Sequence, residues 1–182
     1  MNAETRWREA APPDANVAFV SIPVSEMLTG GRRMEGESYL SEGYLIRKQI
    51  EASGLPVEPL VNLAEVWQPG RLKGIQVARE HGQPFLTATQ VFDIRPRARK
   101  WLSPSQVHEL EQRYVESGWV LVTCSGSVGD ATISYSAHRD TIISHDLLRV
   151  QARDPGELGY LYAFLKTRFG RATMRSSKYG SI

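Results

Sequence analysis

The chain has 182 residues, of which 41% are hydrophobic and 23% are charged, as in a soluble globular domain with a buried core. No apolar run approaches the roughly 18 residues that a membrane span needs. Residues 1–14 also lack the apolar core of a secretory signal, so the sequence predicts a cytoplasmic protein. Cys124 is the single cysteine, which excludes an internal disulfide, and the four histidines show no metal spacing. We therefore expect neither a metal nor a cofactor.

Charge is unevenly distributed along the chain. Residues 1–65 carry 6 Lys+Arg against 10 Asp+Glu, a balance of −4, whereas residues 66–182 carry 16 against 10, a balance of +6. The cations of the second part form two clusters, one at 95–100 and one between 166 and 178. Clustered cations on one part of a chain favour a polyanion as partner, although they also occur on solvated faces and at helix C-termini.

The first half of the chain reads as a flexible leader over 1–16 followed by mixed elements. The apolar pattern of 17–24 predicts a strand, and the helical spacing of 42–52 predicts a helix. One turn of helix leading into a strand is expected over 59–67. The β-branched and aromatic residues of 71–78 and 85–96 predict two further strands.

The second half begins with a helix signal. Ser103 fits the N-cap position and Pro104 the first helical position of a helix that should reach about Ser117. Strands are expected over 119–124, 131–135 and 141–152, a helix over 156–169 that Gly170 stops, and a basic tail over 171–182. The fold class predicted from this order is α+β, a mixed twisted sheet with several short strands and flanking helices. Expected core residues are Trp119, Val120, Leu121, Tyr160, Leu161, Tyr162 and Phe164.

The stretch GWVLVTCSGSVGDATISY (118–135) places glycines three residues apart after an apolar strand. A phosphate-binding P-loop would continue into Lys-Ser/Thr and a helix, whereas Asp130 and β-forming residues follow Gly129 here. A nucleophile elbow would need Gly-x-Ser-x-Gly, but Ser125 replaces the first glycine. A strand–turn–strand with Gly126 and Gly129 at positive φ is the favoured interpretation.

Catalysis by this region is the weaker hypothesis. Ser127 could act as a nucleophile only with a base such as His138 or His145, and Cys124 only if its thiol were exposed and acidic. At the end of an apolar strand, a cysteine is more often a small buried residue. Hydroxyls and glycine amides on a surface hairpin also suit close approach to a phosphate backbone or a base edge.

The order of several motifs resembles a known family. Lys100-Trp-Leu-Ser is followed by LVTCSGSVG (121–129), SHDLLRV (144–150) and GYLYAFL (159–165). Together they resemble the target recognition domain of the specificity subunit of Type I restriction–modification systems, over about residues 37–182. The chain departs from the family in having one such domain and no long helix, where a complete subunit has two domains separated by long helices.

The resemblance implies a non-catalytic module that recognises half of a double-stranded DNA target and presents it to other subunits. The implied partners are an adenine DNA methyltransferase subunit, a nuclease/translocase subunit and a second recognition domain, in an antiviral defence system. Residues 1–35 would be a partly flexible N-terminal extension and residues 36–182 the recognition domain, as part of a longer chain.

The DNA-contacting residues follow from the charge pattern and the chemistry of base edges. Cations neutralise phosphates, and amides, guanidinium groups and hydroxyls read bases. The expected phosphate contacts are Arg97, Arg99, Lys100, Arg171, Arg175 and Lys178. The expected groups at base edges or close to the backbone are Gln90, Arg95, Ser125 and Ser127.

Other functional classes stay open on the sequence alone. A protein-interaction module of a defence complex would show an exposed apolar patch in place of the basic strip. An RNA-binding domain is disfavoured because no aromatic RNA-binding signature is present. A hydrolase using Ser127 or Cys124 is the third alternative.

Overall fold

A computed structural model describes residues 19–29, 34–107 and 109–176. Two four-stranded sheets form its centre, with strand orders β1-β8-β5-β6 and β2-β4-β3-β7. The strands are β1 Ala64–Trp67, β2 Gln76–Val77, β3 Gln83–Leu86, β4 Lys100–Leu102, β5 Val120–Thr123, β6 Ala131–Ile133, β7 Ile142–Ile143 and β8 Leu147–Ala152. Helices flank them, which confirms the predicted α+β class.

Six α-helices occur in the described residues. They are α1 Val24–Thr29, α2 Gly36–Leu40, α3 Glu42–Glu51, α4 Leu60–Leu63, α5 Leu158–Lys166 and α6 Arg168–Ser176. Within the same residues, none of them is both long and apolar enough to cross a bilayer. Helices α3 and α6 approach closely at Gly43, because a Cβ at that position would lie 2.1 Å from the Ala172 carbonyl oxygen.

The first sheet is antiparallel throughout. In β5–β6, Val120 lies opposite Ile133 and Val122 opposite Ala131, and β8 pairs with the other side of β5. Strand β5 is buried along its whole length, since it is central in the sheet and covered on both faces. One face packs with Leu161 and Leu165 of α5.

The other face of β5 joins the two sheets. Leu121 and Leu147 from the first sheet pack with Leu86 and Ile143 from the second, and Val91 completes this cluster. The second sheet is mixed, because β3 pairs antiparallel with β4 and parallel with β7. Residues 87–99 connect β3 to β4. This connection begins next to Leu86 and returns at Ala98, and both residues contact the core cluster shared by the two sheets.

Several predicted elements are confirmed. The helix over 42–52 is α3, and the turn of helix leading into a strand over 59–67 is α4 followed by β1. The strands predicted over 119–124 and 131–135 are β5 and β6. Val120, Leu121 and Leu161 are buried as expected.

The helix predicted over 103–117 is wrong. The chain instead forms two short 3-10 turns, Pro104–Gln106 and Leu110–Arg113, and Glu109 has the left-handed φ of +54°. Arg113 is only 1% exposed and donates a hydrogen bond to the Gly70 carbonyl. Tertiary burial of Val107, Arg113 and Val115 has overridden the local helix-starting signal.

Four strand predictions were also too long or misplaced. The strand over 85–96 ends at Leu86, because the Gln90 side chain bonds back to Thr87 and supports a turn. The strand over 71–78 is reduced to β2, and that over 141–152 is divided by the turn 144–146. In 17–24, residues 19–23 are irregular and α1 begins at Val24; residues 17 and 18 lie outside the described part.

The expected basic tail over 171–182 is helical in its first part, since residues 168–176 form α6, while 177–182 lie outside the described residues. Thr167 precedes this helix and its hydroxyl accepts a hydrogen bond from the Gly170 amide at 3.2 Å, as an N-cap residue does. Gly170 is inside α6, where a Cβ would lie 2.4 Å from the Phe164 carbonyl oxygen. Tyr160 and Phe164, predicted in the core, are exposed, and Trp119 and Tyr162 are half-buried against it.

Candidate nucleic-acid interface

The first basic cluster lies on an exposed connection between the 3-10 turn Gln90–Phe92 and β4. We call residues 93–100 the arginine loop. Arg95, Arg97, Arg99 and Lys100 are all exposed on it. Among the described residues, no salt bridge involves any of these four cations. Their charge is therefore open to a partner in solution.

Side chains from outside the arginine loop hold its backbone. The Tyr135 hydroxyl donates a hydrogen bond to the Ile94 carbonyl at 2.6 Å, and the Gln90 amide nitrogen donates to the Arg97 carbonyl at 3.2 Å. Ala98 packs against the core cluster around Leu121. The backbone of the loop is thus anchored while its cationic side chains project into solvent.

A buried histidine holds the chain in place just before the arginine loop. His138 is fully buried, and its Nδ1 accepts a hydrogen bond from the Tyr135 amide at 3.2 Å. Its Nε2 consequently carries the proton and donates to the Val91 carbonyl at 3.0 Å. The Tyr135 ring packs edge-on against the imidazole with centroids 4.6 Å apart. The pair links the end of the β5–β6 hairpin to the arginine loop.

Gln90, predicted at a base edge, uses its amide within the protein. Its Oε1 accepts from the Thr87 amide and the Thr87 hydroxyl, both at 3.1 Å, and its Nε2 donates to Arg97. A base contact by Gln90 would have to break these bonds. The contacts give Gln90 a bracing role in the loop that carries the arginines.

The glycine-containing stretch forms a hairpin loop, as the sequence predicts. We call residues 124–130 the glycine loop. Gly126 and Gly129 have φ of +64° and +92°, the left-handed region that glycine adopts without a Cβ clash. Thr123 closes the loop, because its amide donates to the Asp130 carbonyl at 2.9 Å and its hydroxyl accepts from the Asp130 amide at 2.9 Å.

Ser125 contacts the neighbouring turn between β7 and β8. Its hydroxyl donates to Asp146 Oδ1 at 2.7 Å, while the Ser144 hydroxyl donates to Oδ2 at 2.7 Å. The Ser144 hydrogen bond is the main cause that lowers the pKa of Asp146 below its usual value, and the Ser125 bond adds to it. Ser127 is exposed at the glycine loop and its carbonyl accepts a hydrogen bond from the Thr123 hydroxyl.

Arg149 shapes the same turn from inside the sheet. Its side chain is fully buried and donates to the Ser144 carbonyl at 3.0 Å, the Ile143 carbonyl at 3.1 Å and the Leu147 carbonyl. Burial, with the nearby charge of Arg113, lowers its pKa to about 10, so it stays charged at neutral pH. Arg149 is thus a structural residue that holds the carbonyls of the turn beside the glycine loop.

The second basic cluster lies on α6, against the glycine loop. Arg171 forms a salt bridge with Asp130, and Arg175 Nε donates to the Val128 carbonyl at 3.2 Å. The loop and helix are close, since a Cβ on Gly129 would lie 3.3 Å from the Arg171 carbonyl oxygen. Both predicted phosphate contacts on α6 therefore also bond to the protein. Lys178, the third, lies outside the described residues.

An open cleft runs beside these two arginines. Its volume is about 260 Å³, and Lys166, Arg168 and Glu42 complete its lining with Ala172. Arg168 Nε lies 2.6 Å from Glu42 Oε1 in an exposed ion pair. The cleft is cationic, but Glu42 and Asp130 already offset part of its charge.

The two basic clusters meet the β5–β6 hairpin at opposite ends. The arginine loop bonds to Tyr135, just after β6, whereas α6 bonds to Val128 and Asp130, just before β6. Asp130 and Tyr135 are five residues apart, which in a strand corresponds to about 17 Å. The predicted contact residues therefore form two patches rather than one, with the hairpin between them.

The catalytic alternatives find little support in the geometry around Ser127 and Cys124. Burial, and then the nearby Asp146 charge, raise the pKa of the Cys124 thiol, which disfavours the nucleophilic thiolate. Both ring nitrogens of His138 are used in structural hydrogen bonds. His145 Nε2 lies 3.8 Å from Asp146 Oδ1, beyond hydrogen-bonding distance. Within the described ranges, no group of three His, Cys, Asp or Glu side chains could hold a metal ion.

Sequence reasoning missed the residues that position the arginine loop. From the sequence, Tyr135 was expected only at the end of a strand, His138 was considered only as a possible catalytic base, and Gln90 was expected at a base edge. The pairing of Tyr135 with Ile94 spans 41 residues and cannot be read from local spacing.

Solved structures of Type I restriction–modification proteins are similar to this chain. One is the crystal structure of the HsdS subunit from Thermoanaerobacter tengcongensis, with 19% identity and a TM-score of 0.43 over 87% of this chain and 40% of that chain. Another comes from a study of complex assembly and conformational transition of the type I R-M system, with 19% identity, a TM-score of 0.42, and coverage of 86% and 43%. No protein-family model and no curated protein matches the chain. The chain thus spans about two fifths of the solved chains it is similar to.

Proposed function

We propose that this chain binds double-stranded DNA and recognises a short sequence in it without breaking covalent bonds. The observation that carries the proposal is the arginine loop. Four exposed cations within six residues make no salt bridge with a described acid, on a backbone that Tyr135 and Gln90 hold in place. An anchored backbone has little conformational freedom to lose when its cations meet phosphates, and these cations release the counterions of the DNA.

The proposal assigns different roles to the two patches. The arginine loop supplies the principal phosphate contacts through Arg97, Arg99 and Lys100, with Arg95 at a base edge. Arg171 and Arg175 on α6, with Lys178 beyond it, supply secondary phosphate contacts. Ser125 and Ser127 present the glycine loop to the backbone or to a base. A duplex lying along the β5–β6 hairpin would be long enough to meet both patches, since about 17 Å of extended chain lies between them.

The larger assembly follows from the motif resemblance and is likewise part of the proposal. Residues 36–182 would read one half of a target for a Type I restriction–modification system in the cytoplasm. A second recognition domain would read the other half. An adenine DNA methyltransferase subunit and a nuclease/translocase subunit would act on the bound DNA.

Selection from a random duplex library tests the proposal directly. The 182-residue chain should enrich a short motif, and its affinity for that motif should fall with salt, because each phosphate contact contributes a log–log slope of about −0.9. Single-stranded RNA of the same sequence is the control and should bind more weakly. Absence of an enriched motif together with a flat salt dependence would reject the proposed function.

A further inference from the structure

One side chain of the arginine loop is apolar and almost fully exposed. Ile94 is 92% exposed, more than the other large hydrophobic residues in the described part of the chain. It is followed by Arg95, and its own carbonyl oxygen is the acceptor of the Tyr135 hydroxyl at 2.6 Å. Hydrogen bonding at this residue fixes its backbone while the apolar side chain faces water. Solvation of an isoleucine is unfavourable, and burying it in a complex would recover that free energy.

The charge around Ile94 selects the kind of surface that can bury it. Arg95, Arg97 and Arg99 follow it in the loop, all exposed. A protein partner that covered Ile94 with an apolar surface would also have to cover these cations with acids. Duplex DNA offers both chemistries together, since phosphates line the edges of a groove and apolar parts of the bases lie inside it. Ile94 lies between the exposed Asp93 and Arg95, at the start of a loop that carries four cations and one acid, and an apolar side chain beside such cations fits a groove.

We infer that Ile94 enters a DNA groove and makes an apolar contact with a base, so that it helps to determine the sequence recognised. This inference rests on the proposed function and names a residue that charge and hydrogen-bonding criteria had not selected. In the major groove the contact is the thymine 5-methyl group, the apolar group there that distinguishes one base. Insertion between two base pairs would use the same side chain and would unstack them.

Tyr135 positions Ile94 through the hydrogen bond to its carbonyl. A side chain that reads a base must be held within a fraction of an ångström, and loops reach this only through supporting contacts. The Tyr135–His138 pair, anchored at Val91, provides that support from the hairpin side. Tyr135 is accordingly a positioning residue and makes no DNA contact itself in this proposal.

The test compares the motifs selected by the wild-type chain, by Ile94→Ala and by Leu55→Ala. Leu55 is 71% exposed and lies outside the arginine loop, so it controls for loss of an exposed aliphatic side chain. We expect Ile94→Ala to relax one T·A position of the motif, and Leu55→Ala to leave the motif unchanged. Because Ile94 is exposed, its replacement should leave folding intact, which circular dichroism and thermal unfolding can check.

Two substitutions in the DNA then identify the contact. Replacing the thymine at that position by deoxyuridine removes only the methyl group and should weaken wild-type binding about fivefold, with little effect on Ile94→Ala. If Ile94 inserts between base pairs, 2-aminopurine beside the position should brighten with wild type and stay quenched with Ile94→Ala. Either result supports the apolar base contact.

The inference and the proposed function fail in different ways. If the wild-type chain enriches a motif and Ile94→Ala enriches the same motif with equal strength, the role of Ile94 is overturned while DNA recognition stands. If the wild-type chain enriches no motif and binds DNA without salt dependence, both fall together.

Discussion

The arginine loop and the C-terminal helix α6 have the same basic character in the sequence and different environments in the structure. Both carry closely spaced arginines that predict phosphate contacts. In the arginine loop the cations make no salt bridge with a described acid, and hydrogen bonds hold the backbone beneath them. On α6, Arg168 and Arg171 are paired with Glu42 and Asp130, and Arg175 bonds to a carbonyl of the glycine loop. A cation that already has a protein partner has less to gain from a phosphate.

Replacing the arginines of each region by neutral residues is expected to give the largest difference in DNA affinity between the two regions. Replacing Arg95, Arg97 and Arg99 together by glutamine should weaken DNA binding about 100-fold at low salt and reduce the salt slope by up to about 3, because three phosphate or base contacts are lost. The measurement is affinity as a function of salt concentration, by fluorescence anisotropy.

The matched control is glutamine at Arg168, Arg171 and Arg175, which removes the same formal charge from α6. We expect a smaller loss of affinity and a smaller change in slope from this variant, since Glu42 and Asp130 already compensate two of the three cations. Equal effects from the two triple variants would contradict the distinction and would indicate that only total charge matters.

The close approach of the glycine loop to α6 is tested by comparing two glycines of the loop that both have a positive φ, of which only Gly129 lies against the helix. Gly129→Ala should destabilise the fold by about 2 kcal/mol, from a left-handed φ and from crowding against the Arg171 carbonyl 3.3 Å away. Gly126→Ala meets no atom within 4 Å and should cost only about 1 kcal/mol, for the φ alone. Chemical denaturation measures both, and equal losses would show that the loop–helix contact contributes nothing.

The glycine loop also shows which parts of the fold were predictable from the sequence. Its hairpin was predicted because apolar strands on either side of Gly126 and Gly129 leave few other conformations. The helix expected after Ser103 failed because its signal was local, whereas burial of Arg113 against Gly70 depends on residues 43 positions away. Gly170 misled for the same reason, since a glycine that stops a helix and a glycine that allows a close helix–helix approach look alike in the sequence.

In the candidate site, too, local features were predictable from the sequence and long-range contacts were not. Exposed cations at 95–100 were identified from composition, because charge clusters need no partner to be recognised. The support beneath them was missed, since Tyr135 and His138 are brought to the loop by the β5–β6 hairpin and the core cluster shared by the sheets. The two basic regions differ because α6 has the acidic partners Glu42 and Asp130, and the tertiary fold alone brings these partners to it.

Loosening the arginine loop without changing its charge should have a moderate effect. Tyr135→Phe removes the hydroxyl that donates to the Ile94 carbonyl and keeps the ring packed on His138. We expect affinity for the selected motif to fall about fivefold, the salt slope to stay unchanged, and amide hydrogen exchange to rise in residues 93–97. Tyr162→Phe, at a tyrosine on α5, is the control. A changed salt slope in Tyr135→Phe would mean that the hydroxyl acts on phosphate contacts rather than on loop position.

Releasing Arg171 from its partner is expected to have the smallest effect and the opposite sign. Asp130→Asn removes a carboxylate beside the cation, so Arg171 becomes available to a phosphate and one repulsive charge is lost. We expect a two- to threefold gain in DNA affinity, since a partly exposed ion pair of this kind contributes only about 0.2–1 kcal/mol. On an Arg171→Gln background, Asp130→Asn should give a smaller gain, because only the loss of the repulsive charge remains, and the difference between the two gains isolates the coupling of the two side chains. An equal gain on both backgrounds would assign the effect to the lost carboxylate alone and leave Arg171 without a contact to DNA.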